Sequence, residues 1–224
     1  MTKTMDSVLR RKDGIHYRIA TPDDVAAMRT IIVNSFVEEP MAKAAGMSRS
    51  DLFTIVDRFL PGCTESGHSV VAAPDDDPGH IGGVLMNRDY QAPLPAGILD
   101  DVPRFSPVAA ALQAVDERYE ATRPALESGE ALDLWMLGVV PGSPFARRGI
   151  AHGLILAGRD AAHQNGFRRC VAECTGRYSQ RAAIKAGFVE GARVDYATFQ
   201  FEGRRIFANI PAPHKFLILY ELLL

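Results

Sequence analysis

Arg147 and Arg148 stand side by side before Gly149. Ile150, Ala151, Leu154, Ile155 and Ala157 then recur at three- and four-residue spacing, while Arg159 and Asp160 fall off that stripe. This is the spacing of an amphipathic helix that starts at the arginines. A helix start carries unpaired backbone N–H groups and the positive end of the dipole, and a glycine lets an anion approach the backbone closely. Arginines are unfavourable at that end of a helix, so a phosphate-bearing ligand accounts for them where helix formation alone does not. The alternative is a solvated basic turn in which Gly149 only makes the bend. A second chemical group is Glu39, which precedes Pro40. Proline biases the residue before it to an extended backbone, so this carboxylate sits at a bend between two helices.

The elements around these groups follow from periodicity. Leu132 to Val140 is an apolar run stopped by Pro141, Gly142 and Pro144, a buried strand that leads through the arginine loop into a helix ending near His163. Upstream, His16–Ile19 reads as a strand, and Thr21-Pro22-Asp23-Asp24 starts a helix striped by Val25, Met28, Ile31, Ile32 and Phe36. Ser50–Leu60 is a second helix, ended by Pro61-Gly62, and Ser69–Ala73 with His80–Arg88 forms an antiparallel hairpin. The Asp75–Asp77 run between these strands reads as a solvated turn before a metal site. The stretch 91–107 holds four of the 14 prolines and reads as a loop, followed by a helix over 107–121. A strand at Arg169–Glu173, a helix through Gln180–Lys185 and strand-rich segments at Phe188–Phe201 and Phe216–Leu223 complete the order. It predicts an α/β domain with α+β layering: a tail over 1–14, then one domain over 15–224 with a Pro-rich insertion at about 91–107.

Composition narrows the partner. The 224 residues carry 25 Lys plus Arg against 27 Asp plus Glu, a net charge of −2 that gives no general attraction to nucleic acid or to an anionic membrane. Cys63, Cys170 and Cys174 show no metal-type spacing and leave an odd thiol, so neither a disulfide framework nor a zinc site is expected. Without a signal-like start or a run of spanning length, the expectation is a cytoplasmic protein, monomeric or homodimeric, acting on a small molecule.

Val140-Pro141, Phe145 and Arg-Arg-Gly-Ile-Ala after an apolar strand resemble the acetyl-CoA signature of the GCN5-related N-acetyltransferases, the GNAT superfamily. Ala146 stands where that family usually has Gln or Arg, and the loop from Pro141 to Gly149 is about two residues longer than usual. Further segments are similar to the arylalkylamine (dopamine-type) branch. They are Phe36-Val37-Glu38-Glu39-Pro40-Met41, then Cys174-Thr175-Gly176-Arg177-Tyr178-Ser179-Gln180-Arg181 with Lys185-Ala186-Gly187-Phe188, and finally Tyr196, Phe207, Pro213 and His214 in order.

The resemblance implies a mixed sheet of about seven strands with splayed central strands and helices on both faces. It implies acetyl transfer from acetyl-CoA to the primary amine of an arylalkylamine, without a metal. Leu137, Val139 and Val140 would carry the pantetheine arm. Arg147, Arg148, Gly149, Ile150 and Ala151 would wrap the pyrophosphate, and Ser179, Arg181 and Lys185 would lie on the cofactor-side helix. Glu39 would be the general base. The tyrosine that often protonates the leaving thiolate is replaced by Ala183, which leaves Ser179, Tyr178 or an unassisted thiolate. Plainer roles stand beside these: Ser179 as a helix cap, Cys174 and Trp135 as core, Asp133 as a core-edge group, and His214 as a structural histidine or a proton carrier. A polyamine or aminoglycoside-like acceptor, or a noncatalytic acyl-CoA sensor, are the alternative functions.

Overall fold

Strand β1 (Val8–Lys12) turns back through Asp13 and Gly14 into β2 (Ile15–Ile19). The computed structural model describes residues 8–140, 145 and 148–224. After β2, the Asp24 carboxylate accepts the Thr21 backbone N–H at 2.8 Å and takes Arg18 Nη1 at 2.6 Å, which fixes the entry to helix α1 (Val25–Phe36). Met28, Ile31, Ile32 and Val33 of α1 are buried, and such side chains contribute about 1.5–3 kcal/mol each over their exposed state. Helices α2 (Pro40–Ala44) and α3 (Arg49–Glu65) follow, then the antiparallel pair β3 (Val70–Pro74) and β4 (Gly83–Asp89). Helices α4 (Ile98–Asp101) and α5 (Ser106–Glu120) lead to β5 (Ala131–Val139). The rest is α6 (Ile150–Gln164), β6 (Arg169–Cys174), α7 (Arg177–Lys185), β7 (Val189–Asp195) and β8 (Phe216–Leu223).

The strands form one sheet in the order β1-β2-β3-β4-β5-β6-β8-β7, antiparallel throughout except for the parallel pair β5 and β6. Side chains alternate between its faces. One face packs under α1, α3, α4 and α5, with Val71, Val84, Val171 and Leu219 in its core. The other packs under α6 and α7, with Leu85, Leu132, Cys170 and Ile218. This is the layered α/β architecture expected, with eight strands where about seven were expected. The eighth is β1, inside the segment read as a tail; its sequence VLRRK is too short and too charged to show a periodic pattern.

Two further boundaries differ. Helix α3 starts from a Ser48–Asp51 capping box and runs through Pro61 to Glu65, because buried Cys63 anchors its last turn and the Thr64 hydroxyl bonds the Leu60 carbonyl at 2.8 Å. The Pro-rich stretch is also not a bare loop. It holds α4 and a 3-10 turn at Pro103–Phe105, and buries Ile98, Val102 and Phe105 in the core. Its Asp75–Asp77 counterpart is a turn: Asp75 pairs with Arg11, and His16 Nδ1 lies 3.3 Å from its carboxylate.

Candidate active site

β5 and β6 are paired only over Ala131–Asp133 and Arg169–Val171. On its other side β5 stays paired with β4 as far as Val139, so beyond Asp133 its edge toward β6 is open. A bulge marks the change: Arg88 faces Asp133 and Met86 faces Met136, which leaves one extra residue on β5 between the pairs and bends the strand. Gly138 lets α1 press against the splayed end. A Cβ there would lie 2.8 Å from Ser35 Oγ and 3.2 Å from the Ile31 carbonyl oxygen.

A cavity of about 540 Å³ occupies this gap and crosses the sheet. On the α6 and α7 side it is lined by Leu137, Ala151, Ile155, Tyr178, Ser179 and Ala183. On the other side its walls are Phe36, Met47, Leu52, Ile55, Phe105, Val108 and Trp135. Its size suits a small ligand, and its walls are mostly apolar with few polar groups.

Glu39 is one of those polar groups. It is the N-cap of α2 at φ −67° and ψ 134°, the extended backbone that Pro40 imposes, and its Oε2 accepts the Ala42 N–H at 2.7 Å. Oε1 is enclosed and accepts no hydrogen bond among the described residues. Burial raises the carboxyl above its usual range, and the Ala42 N–H with the nearby polar groups of Thr175, Met41 and His214 only partly offsets this. His214 also lines the cavity, and its Nδ1 accepts the Arg177 N–H at 3.1 Å, so in the neutral ring the proton sits on Nε2. Tyr196, buried, donates its hydroxyl to the Thr175 carbonyl at 2.7 Å and holds that corner.

At the other mouth, Gly149 caps α6 with φ 75°, a backbone that L side chains rarely adopt, and nothing lies within 4 Å of where its Cβ would be. Among the described residues nothing fills the space at that Cβ, at the amide end of a 15-residue helix. Ile150 is buried against Gly83 and Ala151 lines the cavity. Arg148 does not point an unengaged charge at that end: its Nη2 donates to the Asp13 carbonyl at 2.6 Å. Arg147 lies outside the described residues, as do Pro141–Pro144 and Ala146. Leu137 lines the cavity, whereas Val139 and Val140 continue its edge.

On α7, Ser179 lines the cavity and its hydroxyl donates to the Gly176 carbonyl at 2.9 Å, so it caps nothing by accepting an N–H. Arg181 and Lys185 are exposed and do not line the cavity. Cys174 is buried as expected, and burial pushes its thiol up to about 12. Asp133 is no core-edge group. It is 1% exposed and takes Arg88 Nε at 3.2 Å. The sequence motifs include Thr175 but neither Glu173 nor Arg88. The available signal was Glu173 itself, an acid two residues from Val171 on the core face of a buried strand. Among the described residues no group of three or more His, Cys, Asp or Glu is arranged to hold a metal.

No protein-family model and no curated protein matches the chain. Solved structures do. The C-terminal condensation domain of Ebony, in complex with beta-alanyl-dopamine, superposes with a TM-score of 0.80 at 16% identity over 94% of this chain and 99% of that one. Arylalkylamine N-acetyltransferase 2 from Aedes aegypti gives 0.75 at 21% identity over 94% and 99%. The polyamine N-acetyltransferase of Drosophila melanogaster, which forms N-acetylagmatine, gives 0.73 at 18% over 94% and 100%. The chain has the GNAT acetyltransferase fold. The gap between β5 and β6 lies where the resemblance implies splayed central strands.

Proposed function

We propose that the protein is an N-acetyltransferase that moves the acetyl group of acetyl-CoA to the primary amine of a small arylalkylamine of the dopamine, tyramine, serotonin or tryptamine type. The observation that carries this reading is the cavity through the splay, with Ala151 of the α6 start and the Glu39 carboxyl both on its wall. Acetyl-CoA supplies an acyl group already activated as a thioester. The Gly149–Ala151 backbone at the start of α6 fits its pyrophosphate, and the open edge of β5 fits the amide groups of its pantetheine arm in the manner of an added strand. Backbone N–H groups on that edge polarise the acyl oxygen.

Glu39 takes the proton from the substrate ammonium, directly or through one water. Its raised carboxyl brings it closer to the amine in basicity than an exposed glutamate. The nitrogen then forms its bond to the acyl carbon as the carbon–sulfur bond breaks and the electron pair leaves on sulfur. Thiolate is a good leaving group, and Ala183 on the cavity wall offers no proton. The hydroxyls of Ser179 and Tyr178 on α7, residues that also line the cavity, are the candidate proton donors to the thiolate. Aromatic and aliphatic walls favour an aryl group on the acceptor over a polyamine chain.

A second reading, a polyamine acceptor, draws on the acids Glu38, Glu39 and Glu173 in the same wall. Release of CoA thiol with a panel of phenethylamines, spermidine and aminoglycosides separates the two. Turnover confined to spermidine or aminoglycosides rejects the arylalkylamine reading, and no turnover with any amine rejects the enzyme.

A further inference from the structure

Asp133 and Val171 are the last facing pair of β5 and β6. Two residues further along each strand stand Trp135 and Glu173, both on the side of the sheet that α3 and α5 cover, one on each side of the gap, and both line the cavity. Their polar atoms are unmatched in complementary ways. Among the described residues Trp135 Nε1 is an enclosed donor with no acceptor, and Glu173 Oε1 is an enclosed oxygen that no N–H or hydroxyl bonds. Behind them the same imbalance repeats, with Arg88 Nη1 lacking an acceptor and Asp133 Oδ1 lacking a donor. Buried polar groups are seldom left so, and the two of them that line the cavity, on Trp135 and Glu173, mark a place where a ligand completes the bonding.

We infer that Trp135 and Glu173 form a subsite for a hydroxyl on the aromatic ring of the acceptor, which makes phenolic and catecholic amines the preferred substrates. The inference rests on the arylalkylamine reading and deepens it. A hydroxyl both donates and accepts, so one group can give its proton to Glu173 and take the indole N–H of Trp135. A second ammonium, as in a polyamine, only donates. It leaves the indole unmatched and stands close to the Arg88 guanidinium, which lies 4.7 Å from the Trp135 ring centroid. Burial, then the charges of Asp116 and Asp133, hold Glu173 protonated well above the usual carboxylate range, and it shares a hydrogen bond with Asp116. A neutral carboxyl suits a hydroxyl better than a cation.

The spacing fits as well. Glu39 lines the cavity together with Thr175, two residues beyond Glu173, a step that at the rise of a strand is ~7 Å. That is comparable with the reach of a phenethylamine from its nitrogen to the far side of its ring.

The test compares kcat/KM for phenethylamine, tyramine, dopamine and putrescine in the wild type, Glu173→Gln and Glu173→Leu. Tyramine should exceed phenethylamine by at least about tenfold in the wild type, because a site built to bond a hydroxyl rejects the analogue that lacks it. Glu173→Gln keeps an acceptor and should keep the preference. Glu173→Leu should bring the ratio near one. Equal turnover of phenethylamine and tyramine by the wild type, or a preference that survives Glu173→Leu, overturns the subsite and leaves the arylalkylamine reading standing. Turnover of putrescine with no phenethylamine used overturns both. Should Glu173→Leu not fold, Trp135→Phe removes the donor with the ring retained, and an unchanged ratio there overturns the subsite equally.

Discussion

Glu39 accepts the Ala42 backbone N–H at 2.7 Å, so the carboxyl proposed as the base is also the cap of α2. The two roles come apart on substitution. Glutamine keeps an oxygen for the Ala42 N–H but cannot take a proton, so Glu39→Gln should lower kcat by roughly 10²–10⁴-fold with acetyl-CoA binding and the thermal midpoint close to wild type. Raising the pH deprotonates the amine in solution and should restore part of the rate. Glu39→Ala removes the cap as well and should cost a further ~0.5–2 kcal/mol of stability by thermal unfolding. Near-wild-type kcat in Glu39→Gln at neutral pH would pass the role of base to His214.

Gly149 tests the cofactor mouth. An aspartate there meets a φ of 75° that L side chains avoid and sets a negative charge at the amide end of α6. Combined with Arg148→Ala, it should weaken acetyl-CoA binding at least about tenfold by calorimetry, through charge repulsion at the pyrophosphate. Arg148→Ala alone should do less, because its guanidinium is engaged by the Asp13 carbonyl. Unchanged affinity in the double variant would place the cradle elsewhere.

Burial raises the carboxyls of Asp116 to about 7 and Asp133 to about 6, and raises Glu173 further into the protonated form. The unfolded chain releases these protons near pH ~4, so between there and the folded values the native state binds more protons and stability falls as pH rises. Glu173→Gln removes one group that needs its proton. The thermal midpoint of this variant should therefore gain on the wild type as pH rises from 5 to 8. Parallel curves for the two proteins would show that Glu173 is ionised in the fold.

Cys63, Cys170 and Cys174 are all buried, and burial pushes each thiol up to about 12. The reactive species is the thiolate. Iodoacetamide at pH 8 should leave the native protein unlabelled over a period in which the urea-unfolded chain is alkylated at every cysteine. Native labelling of Cys174 would mean that the cavity wall opens to solvent.

Where the chain reports on its own neighbours, the sequence was easily read. The Thr21–Asp24 helix start and the extended Glu39 before Pro40 are each set by residues within four positions of one another. What pairs at long range was not legible. Arg88 and Asp133 are adjacent only because β4 lies beside β5, and Trp135 comes level with Glu173 only through the parallel register of β5 and β6. Trp135 accordingly reads as core, and it does pack on Phe59 against the core, while Asp133 reads as a core edge. The β1 strand escaped for another reason: an edge strand needs only one apolar side and little length, and its charges, Arg10 paired with Asp160 and Arg11 with Asp75, read alone as a solvated tail.

The short ladder between β5 and β6 gives the sheet a mechanical character. Strands β1 to β5 make one plate and β6 to β8 another, and only three facing residue pairs stitch them edge to edge. Beyond Asp133 and Val171 these two strands share no rungs, and the helices that lie across the seam carry the load that rungs carry elsewhere. A guest whose amides bond the open edge of β5 supplies the missing rungs, so occupancy stiffens the whole sheet while it fills the hole. Amide exchange along Leu134–Val139 and Ala172–Cys174 should slow together when the gap is filled, including at residues the guest never touches.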